Sequence, residues 1–300
     1  MEPRLLVGTV NGLAAFDPGS ASRRDALGGH EITGIAVGAR RTWAIVDGKT
    51  LRTGDDWSAV ARVDGPPATC LVATASDVVA GTEAAHLLRL GGDRLEPVTS
   101  FEAVPGRDTW YTPWGDPADV RSIAVGADGA LYVNVHVGGV ARSRDGGGSW
   151  TPTVDVEADV HQVVAHPTRA GVVLVASAAG FGLSRDGADS WVFTNDGLHA
   201  HYLRAVAVAD DLVFVSAATG FRGKRAAIYR KPLDGGAFAR CQTGLPKWFD
   251  GNIDTACLAV AGRLVAFGTE DGCLYVSHDA GDTWALHAKD LGAVRAVVFA

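Results

Sequence analysis

A repeated segment is the feature of this sequence that most limits how the chain can fold. The pattern S-x-D-x-x-x-[ST]-W occurs three times without gaps, at residues 143–150, 184–191 and 277–284, and a degenerate copy lies at 52–57. Each copy sits among short apolar segments that alternate in polarity as β-strands do. Self-similarity of this kind predicts a repeat architecture, in which neighbouring units bury a shared core.

The apolar segments set the number of repeated units. A first strand pattern, ending in pairs such as Ala-Val, is predicted at 32–37, 69–73, 120–125, 160–165, 203–208, 256–260 and 294–299. A second strand is predicted in step with it at 5–9, 42–46, 78–81, 130–135, 172–176, 212–216 and 264–268. Seven copies in 300 residues give a period of about 43 residues, which is typical of a four-stranded propeller blade.

The phase of the repeat predicts how the structure closes. The chain begins on a second strand and ends on a first strand, 294–299, so the last strand should complete the first blade and remove exposed sheet edges. We predict an all-β chain that forms a single seven-bladed β-propeller. An open β-solenoid or a pair of β-sandwiches is the alternative. The approximate blades are 1–30 plus 293–300, 31–66, 67–101, 119–157, 158–197, 202–244 and 252–292.

The repeated segments also carry a family resemblance. They resemble the Asp-box, or bacterial neuraminidase repeat, of β-propellers in sialidases, xyloglucanases, sortilin-type receptors and photosystem assembly factors. The resemblance implies that the Asp accepts backbone hydrogen bonds in a hairpin turn and that the Trp packs between sheets. It implies a fold more than an activity, because these turns do no chemistry.

Composition excludes several classes of protein. The chain has 27 Lys and Arg against 34 Asp and Glu, a net charge of −7, which argues against nucleic-acid binding. It has no apolar run long enough to span a membrane and no secretory leader pattern. Its four cysteines show no C-x-x-C spacing and indicate a reducing compartment. We expect a cytoplasmic, monomeric protein without a nucleotide cofactor.

Unusual sequence is concentrated in loops on one face of the predicted ring. Segments 102–119, 195–202 and 245–254 and the insertion 221–225 lie opposite the repeated turns, on the face where repeat proteins place binding residues. Alternation along the inner strands directs two rings of side chains toward the axis. The channel mouth is therefore predicted to carry Asp119, Arg121, Asp159, His161, Tyr202, Arg204, Asn252 and Asp254. We expect these residues to bind a small polar or anionic molecule; the alternative is a hydrated mouth with ion pairs.

A metal centre is one interpretation of this cluster. Imidazole and carboxylate ligands suit a divalent ion such as zinc, iron, manganese or nickel, with an open position for water or substrate. The candidate ligands are His136, His161 and one of His199 and His201, with Asp119, Asp159 or Asp254 as the oxygen ligand.

Acid–base chemistry of hydrolase or lyase type is a second interpretation. An imidazole of His161 oriented by Asp119 or Asp159 would titrate near neutrality. Arginines would hold a carboxylate or stabilise an enolate, and a tyrosine would donate a proton. The residues for these roles are Arg121, Arg204 and Tyr202, with Asp254 beside them. Resemblance to sialidases implies a glycosidase variant with an arginine triad, Arg121, Arg204 and Arg295, although no F-R-I-P-like segment is present and seven repeats replace six.

A non-catalytic platform is the third interpretation. Aromatic loop residues would contact a peptide, a sugar or a protein partner, or would simply anchor the loops. Candidate substrate-binding residues are Trp110, Tyr111, Trp114, His201, Trp248, Phe249, Asn252 and Arg295. The basic tip at 222–225 is expected to be a solvated hairpin end.

Overall fold

The computed structural model of this chain describes residues 3–17 and 22–300. Residues 1–2 and 18–21, which belong to the predicted first blade, lie outside the described residues. Over those two ranges the secondary structure is β-strand apart from short 3₁₀ helices at Glu83–Ala85, Thr99–Ala103, Arg107–Thr109 and Val156–Ala158. Within the same ranges no helix has the length and apolar character needed to cross a membrane.

In the described part of the chain, twenty-eight strands form seven sheets of four. In chain order the first fourteen are β1 (Leu5–Thr9), β2 (Gly12–Phe16), β3 (Arg23–Ala26), β4 (Ile32–Val37), β5 (Thr42–Val46), β6 (Thr50–Thr53), β7 (Ser58–Arg62), β8 (Ala68–Ala73), β9 (Val78–Thr82), β10 (Leu87–Gly91), β11 (Arg94–Pro97), β12 (Val120–Val125), β13 (Leu131–Val135) and β14 (Gly139–Ser143). The others are β15 (Thr151–Pro152), β16 (Val160–Ala165), β17 (Val173–Ser177), β18 (Gly180–Ser184), β19 (Val192–Thr194), β20 (Tyr202–Ala209), β21 (Leu212–Ala218), β22 (Ala227–Pro232), β23 (Ala239–Arg240), β24 (Leu258–Ala261), β25 (Leu264–Gly268), β26 (Leu274–Ser277), β27 (Ala285–Ala288) and β28 (Val294–Phe299).

The sheets are antiparallel blades in a ring, so the predicted seven-bladed β-propeller is confirmed. Blade 1 is β28-β1-β2-β3, and blades 2 to 7 follow as successive sets of four strands. Strand β28 pairs with β1 in the register Leu5↔Phe299, so the chain ends close the ring as the repeat phase predicted. The inner strand of blade 7 starts at Leu258, not at residue 256 as expected, because Cys257 N–H donates to the Asp254 carbonyl in a turn where Ala256 has φ 61°.

Aromatic and branched side chains between adjacent blades form the core. The largest aromatic side chains that are almost completely buried are those of Phe101, Tyr132, Phe181, Phe214 and Phe267. Burying such a side chain contributes about 1.5–3 kcal/mol. Because each blade packs only on its two neighbours, these contacts act blade by blade around the ring.

The three repeated segments, called Asp turns below, fold alike between the third and fourth strands of blades 4, 5 and 7. In the first, Asp145 Oδ1 accepts from the Ser149 N–H at 2.9 Å, and Ser143 Oγ accepts from the Gly147 N–H at 2.7 Å. The Ser149 and Ser143 hydroxyls donate to the carboxylate of Asp145 and hold its pKa far below the usual range. Asp186 and Asp279 make the equivalent bonds.

An arginine from the preceding blade reaches each Asp turn. Arg89 on β10 donates to the carbonyl of Gly146 at 2.5 Å, and Arg142 on β14 donates to the carbonyl of Gly187. Arg230 on β22 donates to the carbonyl of Ala280, which occupies the same turn position. These inter-blade bonds lie on the face opposite the channel mouth and tie neighbouring blades together.

Candidate functional site

The channel mouth is a cavity of about 650 Å³ where the inner strands begin. Its walls come from several blades. Charged residues on the wall are Glu31, Asp47, Glu83, Asp119, Arg121, Arg204, Asp254 and Arg295.

Bulges in the inner strands place the side chains of this mouth. The pairing of β12 with β13 skips a residue between Val120 and Ser122, so Arg121 is the extra residue of a bulge. The same irregularity falls at His161 of β16, and in β20 a bulge spans Arg204 and Ala205, which lie opposite Ser216. A β-bulge bends its strand and redirects a side chain, which is why bulges accompany binding sites. Three residues of the predicted ring, Arg121, His161 and Arg204, thus leave the regular ladder.

Asp159 lies between two histidines behind this cavity. Its Oδ2 is 3.3 Å from Nε2 of His161, and its Oδ1 is 3.9 Å from Nε2 of His136. The two imidazoles are 1% and 3% exposed, whereas the Asp159 side chain is 24% exposed. Of these three residues, Asp159 is therefore the one that a bound molecule can reach most directly.

The contacts of His161 place it to share a proton with Asp159. Its Nδ1 is 2.5 Å from the carbonyl oxygen of Leu203, which only accepts, so Nδ1 carries a hydrogen. In the neutral imidazole Nε2 is then an acceptor, yet it faces a carboxylate oxygen of Asp159. The contact is favourable only when a second proton lies on the imidazole or on the carboxyl group. When the pair takes up a proton, His161 and Asp159 are thus placed to share it.

Burial and neighbouring charges set the protonation of this cluster. Burial lowers the pKa of His161, and the hydrogen bond to Asp159 opposes this shift. Burial raises the pKa of Asp159, but the hydrogen bond and charge of His161, with Arg121, outweigh it, and the net pKa is lowered. For His136, burial and the charge of Arg121 lower the pKa to about 4. His136 is therefore neutral at physiological pH.

Arg121 and Arg204 bring positive charge to the mouth. Nη2 of Arg121 lies 2.9 Å from Nε2 of His136, and burial together with Arg204 lowers the pKa of the Arg121 guanidinium. Arg204 contacts Asp254 at 3.3 Å and stacks 5.4 Å from the ring centre of Tyr202. Nη1 of Arg121, Nε of Arg204 and Oδ1 of Asp159 are buried and have no hydrogen-bond partner in the described part of the chain. Buried polar atoms normally have partners, so this group marks a place for a polar ligand.

The remaining mouth residues are held by local contacts. The Asp119 carboxylate accepts from the Ala84 N–H at 3.3 Å, and burial raises its pKa. The ring of Tyr202 packs 4.7 Å from that of His161, and burial raises the pKa of its hydroxyl. Nε of Arg295 is 2.8 Å from Oε1 of Glu31. Arg295 is therefore already paired, unlike Arg121.

Thr255 belongs to this site although the sequence patterns did not select it. Its hydroxyl lies 3.0 Å from the carbonyl of His161 and 3.2 Å from the carbonyl of Arg204, so it joins blade 7 to the bulges of blades 5 and 6. Its only sequence signal is its position next to Asp254.

The aromatic candidates divide into buried and exposed residues. Phe249 packs in the core against Phe267, and Trp110 packs on Phe101. Tyr111 and Trp114 are 43% and 63% exposed, and the ring of Trp114 lies 4.9 Å from that of His136. Phe249 and Trp110 therefore anchor their loops, whereas Trp114 lies against His136 at the surface of the histidine cluster.

The candidate metal ligands do not all meet. His136 and His161 both contact Asp159. His199 lies elsewhere: its Nδ1 is hydrogen-bonded to the Tyr229 hydroxyl at 2.8 Å, and its ring packs on Trp248. His201 is exposed. In residues 3–17 and 22–300 no three His, Cys, Asp or Glu side chains are grouped as a metal ion requires. A divalent metal stays a prediction, which elemental analysis of the purified protein would check.

Comparisons with known proteins identify a fold and no family. No family profile and no curated protein matches the sequence. A putative 6-phosphogluconolactonase from Bacteroides uniformis is similar in structure, with a TM-score of 0.66, 9% identity, and coverage of 100% of this chain and 99% of that one. YCF48 from Cyanidioschyzon merolae is also similar in structure, with a TM-score of 0.61, 14% identity, and coverage of 92% of this chain and 88% of that one.

A third similar structure is the GH74 xyloglucanase from Xanthomonas campestris, with a TM-score of 0.59, 18% identity, and coverage of 85% of this chain and 45% of that one. A YCF48 structure bound to D1 peptide is also similar, with a TM-score of 0.50, 12% identity, and coverage of 95% and 79%. The neighbours thus include both enzymes and binding proteins, and at these identities they share the propeller fold alone.

Proposed function

We propose that the channel mouth binds a small anionic molecule between Arg121 and Arg204 and transfers a proton to or from it through Asp159, in a reaction of hydrolase or lyase type. The supporting observation is the group of buried, unpartnered polar atoms on these three residues. Guanidinium groups bind carboxylate and phosphate oxygens, and the cavity of about 650 Å³ has room for a small molecule.

The two histidines have different parts in this proposal. His161 holds the proton that Asp159 gives or takes, because its Nε2 contacts the carboxylate while its Nδ1 is fixed by Leu203. His136, neutral and buried, packs against Arg121 and orients its guanidinium. Both histidines are therefore positioning residues, and the catalytic group is Asp159.

Binding can be tested before a substrate is known. We would titrate the protein calorimetrically with acetate, malonate, gluconate and phosphate, and compare Arg204→Gln with Arg263→Gln. Arg263 is exposed in a turn on the opposite face and gives the same loss of charge. The proposal expects at least one of these anions to bind wild type and Arg263→Gln with equal affinity. It should bind Arg204→Gln about tenfold more weakly, which corresponds to a loss of about 1.4 kcal/mol of binding free energy. Equal binding to all three proteins would refute it.

Chemistry is tested separately with a panel of esters, lactones and 2-hydroxy acids, followed by NMR of the products. Wild-type turnover that is lost in Asp159→Asn, with anion binding retained, would support proton transfer by Asp159. The same turnover in both proteins would contradict it. A sialoside in the panel, with release of free sialic acid as the readout, tests the sialidase-like alternative, for which Arg121, Arg204 and Arg295 do line one cavity.

A peptide-binding platform is the second candidate function. Trp114 is exposed beside the mouth, and a structurally similar YCF48 protein binds D1 peptide. In this alternative, Trp114→Ala would abolish capture of a partner, and Asp159→Asn would leave it unchanged.

A further inference from the structure

The upper rim of blade 6 carries a concentration of unpaired positive charge. Four of its cations are exposed and Arg240 is half-buried, and none of the five forms an ion pair within the described ranges. We call this group, together with Trp248, the rim patch. The rim patch comprises Arg222, Lys224, Arg225, Arg240, Lys247 and Trp248.

Tertiary contacts hold the two loops of the rim patch together. Ala226 and Phe249 exchange backbone hydrogen bonds of 3.0 and 2.9 Å in an isolated bridge between the loops. Nδ2 of Asn252 donates to the carbonyl of Phe221 at 3.0 Å. The tip turns tightly, with Gly223 at φ 67° and its N–H bonded to the carbonyl of Gly220 at 2.9 Å. The cations are therefore presented by an ordered surface and not by a free hairpin end.

Aromatic rings arrange the guanidinium groups. Arg225 and Arg240 lie over the ring of Trp248, at 4.7 and 4.8 Å from its centre. Arg222 lies over the ring of Phe221 at 5.5 Å, and Phe221 is 70% exposed. Cation–π contact orients a guanidinium but does not neutralise it, so the exposed groups of Arg222 and Arg225 can still bind oxygen acceptors. Arg240 also donates to the Lys247 carbonyl at 3.3 Å and to Oε1 of Gln242 at 3.1 Å.

The charge of the rim patch contrasts with the rest of the surface. The whole chain carries −7, and on neighbouring blades a cation such as Arg169 is paired with both Asp211 and Asp234. Asp250 is the one carboxylate within the 246–252 loop. The pKa of the neighbouring His199 is lowered, first by burial and then by the positive charges of Arg225 and Arg240.

We propose that the rim patch docks an acidic peptide segment of a partner protein, with carboxylates on the five cations and an apolar side chain on Phe221. The two aromatic rings and the fixed guanidiniums suit alternating acidic and apolar residues. A protein segment is favoured over nucleic acid because the net charge of −7 repels a long polyanion beyond the patch. The proposal uses none of the proton-transfer residues of the mouth, so it stands or fails independently of that function.

The test measures binding of a fluorescein-labelled peptide of alternating Glu and Phe-Gly units by fluorescence anisotropy at low salt. The same peptide with Gln in place of Glu is the ligand control. The test variant is Arg222→Glu with Lys224→Glu, because both side chains are exposed and their loss disturbs no core contact. Its matched control is Arg40→Glu with Arg41→Glu, which makes the same change in net charge on the opposite face, at exposed positions.

The proposal expects wild type and the Arg40/Arg41 variant to bind the Glu peptide, and the Arg222/Lys224 variant to bind at least about tenfold more weakly. Equal weakening in both double variants would show bulk electrostatics and overturn it. Tighter binding of an oligo-dT strand than of the peptide would assign the patch to nucleic acid and overturn it. Absence of binding to wild type, or equal affinity for the Gln peptide, would also overturn it.

Discussion

Mild acid should destabilise this fold in part through the buried imidazole of His136. Its pKa is lowered to about 4 in the folded chain, chiefly by burial and then by Arg121, whereas an unfolded histidine titrates near 6.5. Between these two values the unfolded chain binds a proton that the folded chain does not. The free energy of unfolding therefore falls as the pH is lowered from 6.5 toward 4 and is unaffected by this group above or below that window.

The size of the effect follows from the two pKa values. One pKa unit corresponds to about 1.4 kcal/mol, so the full shift is worth about 3 kcal/mol below pH 4. Between pH 7 and pH 5 the contribution of His136 amounts to about 2 kcal/mol. Asp159, whose pKa is lowered, loses its contribution only as the pH falls through its folded pKa, below the range of this comparison.

Urea denaturation at pH 7 and pH 5 measures this difference. The wild-type protein should lose about 2 kcal/mol more than His136→Gln, since glutamine has no titrating group. His201→Gln is the matched control, because His201 is exposed, and it should lose as much as wild type. If wild type and His136→Gln lose the same amount, the inference that His136 is held neutral by its surroundings is wrong.

Three further predictions concern the site and the blade contacts. Asp159→Asn should lower the pKa of His161, since the hydrogen bond and negative charge of Asp159 raise it; NMR titration of the imidazole measures this, and an unchanged pKa would argue against the pair. Arg142→Met should lower the free energy of unfolding in urea by about 1–3 kcal/mol, because the Gly187 carbonyl loses a buried inter-blade donor; no change would mean that this bond is dispensable. Phe267→Ala should cost about 3–5 kcal/mol, since the ring is fully buried, and a loss below about 1 kcal/mol would mean that this core relaxes freely.

Local periodicity made the fold predictable from the sequence. Each blade is specified by apolar alternation within about 43 residues, and the strand β28 at the end of the chain pairs with β1 as the repeat phase required. The Asp turns were equally predictable, because the hydrogen bonds inside each turn join residues a few positions apart, such as Asp145 and Ser149. The arginines that bind these turns from the preceding blade could not be predicted, because Arg142 is 45 residues away in sequence from the carbonyl that it contacts.

The candidate site was only partly predictable. Alternation directed Asp119, Arg121 and Asp254 to the channel mouth, where they do line one cavity. It did not show that His161 is buried behind them, with its nitrogens between Leu203 and Asp159. That difference depends on tertiary partners: the carbonyl of Leu203 and the carboxylate of Asp159 hold the His161 ring, whereas Arg121, at the same kind of bulge, lines the cavity.

By itself, then, the sequence determined the number of blades, the position of most strands and the closure of the ring, because these follow from short-range patterns that repeat. The tertiary structure decided which charged side chains face the mouth, which histidines share Asp159, and how the loop at Phe221 meets that at Phe249 to form the rim patch. These features join residues from different blades, and their partners are fixed only when the blades pack around a common axis.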